Sequence, residues 1–138
     1  MTLLPDPVKK FIEERHDKEY NGTVGVLSSL RSDGTPNASP KHFRIRDDGH
    51  LEFTDVFSQT LSDVLKTHPD VTVVFFDPKA VIAYRMRGRA VLETFGPLFQ
   101  QAASQLENMG FKPKAIVSIA LEEVQSLTYG PGTGKKIG

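Results

Sequence analysis

The 138-residue chain has no cysteine. That absence removes disulfides, thiolate chemistry and cysteine-ligated metals together. An excess of either charge is also lacking, because 17 Lys and Arg balance 17 Asp and Glu. No global basic field argues for a nucleic-acid partner, and no run of like charge suggests an interaction tail. Nowhere do about 18 apolar residues run together, so no membrane-spanning helix is expected. The first twenty residues carry charge throughout and lack the apolar core of a signal peptide. The expectation is a soluble, cytoplasmic protein with neither nucleic-acid nor membrane partners. His16, His42, His50 and His68 are scattered without ligand spacing, so a zinc site is not expected.

What is present suits one domain over residues 1–138, long enough to bury roughly two-thirds of its unfolded surface. PDPVKKFIEERH predicts a short N-terminal helix within residues 1–20, with Asp6 as cap, Pro7 at the first helical position and Val8, Phe11 and Ile12 on one face. It is expected to pack as a lid. TVGVLSSL, residues 23–30, is a β-rich run, and SDGTP turns it into a second strand, NASPKHFRI. Asp47, Asp48 and Gly49 turn the chain into HLEFT, where Leu51 and Phe53 alternate with polar neighbours.

The period then changes. Leu61, Val64 and Leu65 fall at helical spacing, Ser58 can cap, and Pro69 stops the helix. VTVVFF predicts a strand buried on both sides, and DPKA leads to the long strand VIAYRMRGRAVLET. In that strand Arg85, Arg87 and Arg89 share one face, ligand-facing or solvated, while Met86, Gly88, Ala90 and Leu92 share the other. A glycine on a packed strand face implies close approach by another group or a sharp bend. Gly96 and Pro97 open a helix with Phe99, Ala103 and Leu106 on one face, and AIVSIALEEVQSLTY returns as a final strand. Six strands without strand–helix alternation argue for a mainly β fold with flanking helices, an antiparallel barrel closed or partly split.

The Gly-rich tail at 128–138, TYGPGTGKKIG, poses the question of a phosphate loop. Gly130 to Gly134 is one residue short of the Walker spacing, Lys136 stands where a hydroxyl residue is needed, and no helix is expected after it. An anion is better accommodated near Ser58, where a strand leads into a helix start, although a plain capping serine fits the same pattern.

Several segments together resemble the pyridoxamine 5′-phosphate oxidase-like family, the FMN-binding split barrels. FTDVFSQTLSDVL is similar to that family's strand-turn-helix, GTPNASPKHFRIRDDGHLEF to its hairpin, YRMRGRAVLE to its R-x-x-G-x-A strand, and YGPGTGKK to its closing Pro-Gly turn. The resemblance spans about residues 22–134 in family order. It implies a six-stranded antiparallel split β-barrel of the FMN-binding type and a homodimer with the flavin at the subunit interface. It further implies flavin-dependent oxidoreductase chemistry on a small substrate or redox partner, with no catalytic side chain required. The substrate would enter between the N-terminal helix and the third helix.

Carried over by position, the resemblance puts Ser39, Pro40, Lys41 and His42 along the flavin edge and Phe53 and Thr54 beside the ring. Ser58, Gln59 and Thr60 fall at the phosphate, and Arg85 on the long strand is a candidate to compensate its charge. Gln59 and Thr60 stand where the family has Arg-Lys, and Ala38 where it has arginine. Each lost charge-assisted bond costs roughly 1.5–3 kcal/mol unless Lys41 or one of Arg85, Arg87 and Arg89 substitutes. Activity as a pyridoxamine phosphate oxidase itself is not expected, since those cations and the extra length of such enzymes at both ends are missing. A non-catalytic FMN electron carrier, a haem-binding barrel using His42, a flavin-free metabolite-binding module and a deazaflavin in place of FMN are the alternatives left open.

Overall fold

A computed structural model describes residues 4–57 and 61–138, apart from the Ser62 side chain. Its elements in chain order are α1 (Asp6–Glu14), β1 (Thr23–Leu30), β2 (Pro36–Ile45), β3 (Leu51–Asp55), α2 (Leu61–Thr67), β4 (Asp70–Asp77), β5 (Ile82–Glu93), α3 (Pro97–Glu107), β6 (Ala115–Ser126) and β7 (Lys135–Lys136). All strand pairings are antiparallel, in the order β3-β2-β1-β4-β5-β6-β7, and β3 also pairs with β6. That last pairing, from Leu51 opposite Ile119 to Asp55 opposite Ala115, closes six strands into the expected split barrel. The short β7 was not foreseen. It adds to β6 beyond the closure, with Lys135 opposite Ser126.

Turn chemistry places the first strands. Asp33 Oδ1 accepts the Thr35 amide at 3.0 Å, and Asp48 Oδ1 accepts the His50 amide at 3.0 Å, side-chain bonds that favour tight turns over continued strand. Period-two alternation then sends Leu27, Phe43, Leu51, Phe53, Val73, Phe75 and Met86 into the barrel, all buried. Phe43 lies at its centre, edge-on to Phe53 at 5.4 Å and to Phe75 at 5.5 Å.

Two expectations need correction. The strand at 71–76 is buried on one face only: Val71, Val73 and Phe75 point inward while Phe76 is 63% exposed. Alternation on a barrel wall imposes this, whereas both-face burial would need helices on the outside as well. The N-terminal helix is no lid, because Val8, Phe11 and Ile12 belong to the core cluster and Phe11 meets Tyr84 edge-on at 5.3 Å. On α3 the expected Phe99, Ala103 and Leu106 do share the packed face, half-buried around the fully buried Ala102, and the helix is lightly seated on the barrel.

The Gly-rich tail spends its amides internally. Gly134 N–H donates to Ser126 O, and Thr133 N–H to Gly130 O, before the chain enters β7. The segment is a turn feeding a strand, without the following helix that a phosphate loop needs.

Helix α1 is tied down by Arg15, whose Nε and Nη2 donate to Asp77 Oδ2 at 3.0 and 2.7 Å while its guanidinium lies 3.7 Å above the Phe11 ring. Donation from Arg15, then from the Ala80 and Lys79 amides, holds the Asp77 carboxyl below the usual carboxylate range. A carboxyl depressed in the folded state contributes stability above its unfolded value, about 3.9, and loses that contribution as the pH falls through the folded value. Asp77→Asn should therefore melt below wild type at neutral pH. Melting curves followed by circular dichroism should converge as the pH is lowered from about 4 toward 2; a constant gap across that range would rule the linkage out.

Candidate functional site

A cleft of about 610 Å³ lies against the outer side of β2 and β3, open to solvent along one side. That is within the size of ordinary ligand sites, about 300–1,000 Å³. The wall from β2 carries Pro40, Lys41, His42 and Arg44, the end of β3 carries Thr54 and Asp55, and the opposite wall comes from α3 through Ala102, Gln105 and Leu106.

A loop at 18–21 forms one end of the cleft. It is pinched at its base by reciprocal backbone bonds between Asp17 and Gly22, at 2.8 and 3.1 Å, while Asp17 Oδ1 accepts the Glu19 amide at 2.9 Å. The pinch brings Tyr20 face to face with His42, ring centroids 5.1 Å apart. At the other end Phe57, which follows β3, meets Phe111, which follows α3, edge-on at 5.0 Å. An apolar cleft with an aromatic pair at each end suits a flat ring system.

Arg44 is the organising cation. Its Nη2 donates to Thr54 Oγ1 at 2.9 Å, its Nε to Glu52 Oε1 at 3.3 Å and its Nη1 to Asn21 O at 3.2 Å, joining β2, β3 and the loop. Lys41 places its ammonium 5.6 Å from the Phe53 ring centroid.

Of the residues expected from sequence, Pro40, Lys41, His42 and Thr54 line this cleft together. Ser39 does not line it, being half-buried opposite Leu27 of β1. Phe53 does not either, since its side chain is in the barrel core, while its neighbour Thr54 faces the cleft. Arg85 lies away from the cleft of its own chain and donates to Gln125 Oε1, Nε at 2.8 Å. Arg87 and Arg89 make loose pairs, with Glu122 at 3.7 Å and Asp70 at 4.0 Å, so that end of the stripe is a solvated face. Ser58, Gln59 and Thr60 lie outside the described residues.

The helix bounding the cleft is α3, with the loop at 18–21 in place of α1. Arg44 was missed, although it falls two residues after His42 and so on the same strand face. Among the described residues no group of His, Asp and Glu is arranged to hold a metal ion, and no helix is long and apolar enough to cross a membrane.

A closed six-stranded antiparallel barrel with flanking helices is a split-barrel fold. The family model for pyridoxamine 5′-phosphate oxidase matches residues 6–128, and the chain belongs to that family. HupZ of Group A Streptococcus is similar in structure, with a TM-score of 0.76 at 20% identity, covering 96% of this chain and 100% of the other. General stress protein 26 of Bacillus anthracis gives 0.63 at 18% identity, covering 86% and 92%. An F420 reductase gives 0.62 at 18% identity, covering 88% and 98%. These likenesses are of fold. No curated protein matches the chain.

Proposed function

We propose that this chain binds FMN in the cleft outside β2 and β3 and acts, as a homodimer, as a flavin-dependent oxidoreductase on a small substrate. The observation that carries the reading is the convergence of Pro40, Lys41, His42 and Thr54, positions that the family resemblance assigns to the flavin, in one cleft with aromatic pairs at both ends. The donor set fits the group: flat aromatic surface for a ring system, and Lys41 as a cation in the cleft. Arg44, spent on Glu52, Thr54 and Asn21, holds the β2, β3 and loop walls of the cleft together. Ser58, Gln59 and Thr60 follow Phe57 of the cleft wall in sequence and remain the proposed phosphate side. When bound, FMN supplies the two-electron chemistry. The chain's own task is to orient the ring between the Tyr20–His42 and Phe57–Phe111 pairs and to exclude water.

Arg44→Met, in protein that circular dichroism shows to be folded, should weaken FMN binding about 10-fold or more by releasing the cleft walls, as read by quenching of flavin fluorescence on titration. An unchanged affinity would remove Arg44 from the site. Running the titration in parallel with a deazaflavin tests the second reading, for which the likeness to an F420 reductase is the only support.

The homodimer rests on the outer barrel face. Val24 and Val26 on β1 and Phe76 on β4 are 54%, 41% and 63% exposed. Val26 stands opposite Pro40 of the cleft wall on one side and Val74 on the other, so this apolar surface runs continuously into the cleft. A contiguous apolar surface of that kind marks an interface, and a second copy seated there would border the flavin. Arg85, opposite Val74 on the same outer face, then reaches a cleft only across the interface. Sedimentation should show a dimer for wild type and a monomer for the Val26→Asp, Phe76→Asp double variant. A monomeric wild type would refute the shared site.

A further inference from the structure

Beside the cleft lies a second, smaller recess of about 140 Å³ between β2, β3 and α3, sharing Asn21, Arg44, Thr54, Ala102 and Gln105 with it. Glu52 enters this recess, and its Oε2 is buried without a hydrogen-bond partner among the described residues. Its other oxygen, Oε1, takes the Arg44 Nε. Leaving one carboxylate oxygen buried and unpaired is costly, and such atoms are rare in folded proteins. Gln101 and Gln105 of α3 line the same recess.

Resting on the reading of the cleft as a ligand site, we propose that this recess is a subsite for an amide or imide edge of the bound ligand. Glu52 Oε2 accepts the edge's N–H, and a side-chain amide of Gln101 or Gln105 donates to its carbonyl. Three features select that chemistry. Arg44 already balances the Glu52 charge at 3.3 Å, so a cationic group gains little and meets the guanidinium. An anion would face Oε2. A purely apolar group would leave Oε2 unpaired, whereas a neutral N–H satisfies it. The edge belongs either to the pyrimidinedione ring of a flavin or to a carboxamide on a second ligand.

The test uses two probes on wild type, Glu52→Gln and Gln101→Ala, Gln105→Ala, with circular dichroism confirming that each variant folds. The first probe is FMN against its N3-methyl analogue, which lacks the donor. The second is nicotinamide, a free primary amide, added to flavin-free protein and followed through the NMR signals of the Gln101 and Gln105 amides. If wild type prefers FMN over the analogue by about 10-fold or more, and Glu52→Gln cuts that preference to within about threefold, the edge is the flavin's. If FMN and its analogue bind alike, but nicotinamide saturates the two glutamine signals and does so more weakly in Glu52→Gln, the edge belongs to a second ligand. Nicotinamide binding that depends on Glu52, in a protein that ignores FMN, keeps the subsite and overturns the FMN reading. Insensitivity of both probes to the Glu52 and glutamine variants overturns the subsite, whatever FMN itself does.

Discussion

Phe43→Ala should lower the unfolding free energy by about 3–5 kcal/mol, the range for removing a fully buried aromatic. Phe43 is fully buried and edge-on to both Phe53 and Phe75, so truncation leaves a cavity bordered by two rigid rings. Gly25 on β1 shows how tightly the space is filled: a Cβ there would come within 2.9 Å of Phe75 and 3.1 Å of Phe43. Collapse into the void is therefore resisted, which puts the cost toward the upper end. Urea unfolding should show a lower midpoint with an unchanged slope. Phe43→Leu, which keeps most of the apolar volume, should cost less. A loss under about 1 kcal/mol for the alanine variant would mean that the barrel interior is loosely packed.

Gly88→Ala should destabilise the protein by at least about 1–3 kcal/mol, although alanine has the better intrinsic propensity in most contexts. The pairing of β5 with β6 shifts register between Arg87 and Gly88, Arg87 facing Glu123 and Gly88 facing Leu121, which leaves Glu122 as the extra residue of a bulge. A Cβ at Gly88 would collide with the carbonyl oxygen of Ala120, and it would sit 2.9 Å from Ile119 Cγ2. Because the first obstacle is backbone, relief requires the β5–β6 ladder to move. Thermal melting of Gly88→Ala beside the neutral control Arg89→Ala would check this; equal melting temperatures would show that the ladder yields freely.

The glycine's role was legible in the sequence because one residue without a side chain interrupted an otherwise packed strand face. Strands β1 to β6 were legible for a similar reason: Asp-Gly turns and alternating apolar residues are local signals, and Thr23–Leu30 emerges as expected. What stayed hidden depends on partners distant in sequence. The β7 strand forms because Ser126 and Gln125 continue past the barrel closure and offer an edge, which no pattern within Lys135 and Lys136 announces. The face of α3 was legible, but helical periodicity marks which residues could pack and cannot say how closely the helix docks.

The site divides along the same line. Pro40, Lys41, His42 and Thr54, named by resemblance, line one cleft, whereas Ser39 is half-buried opposite Leu27 and Phe53 lies in the barrel core. The Arg44–Glu52 pair required the register: the two residues face each other across β2 and β3, eight positions apart in the chain. With that register known, the cation that ties β2, β3 and the loop at 18–21 together is identified. Its partner Glu52 then leads to the recess behind it.

The most direct measurement of the central claim is a titration of FMN into purified wild-type protein, following flavin fluorescence and absorbance to saturation. Quenching should saturate at one FMN per chain, with the flavin bands shifted by the aromatic walls of the cleft and the affinity lowered in Arg44→Met. Flavin fluorescence that stays unchanged up to millimolar protein would contradict it, and the cleft outside β2 and β3 would then belong to a ligand other than FMN.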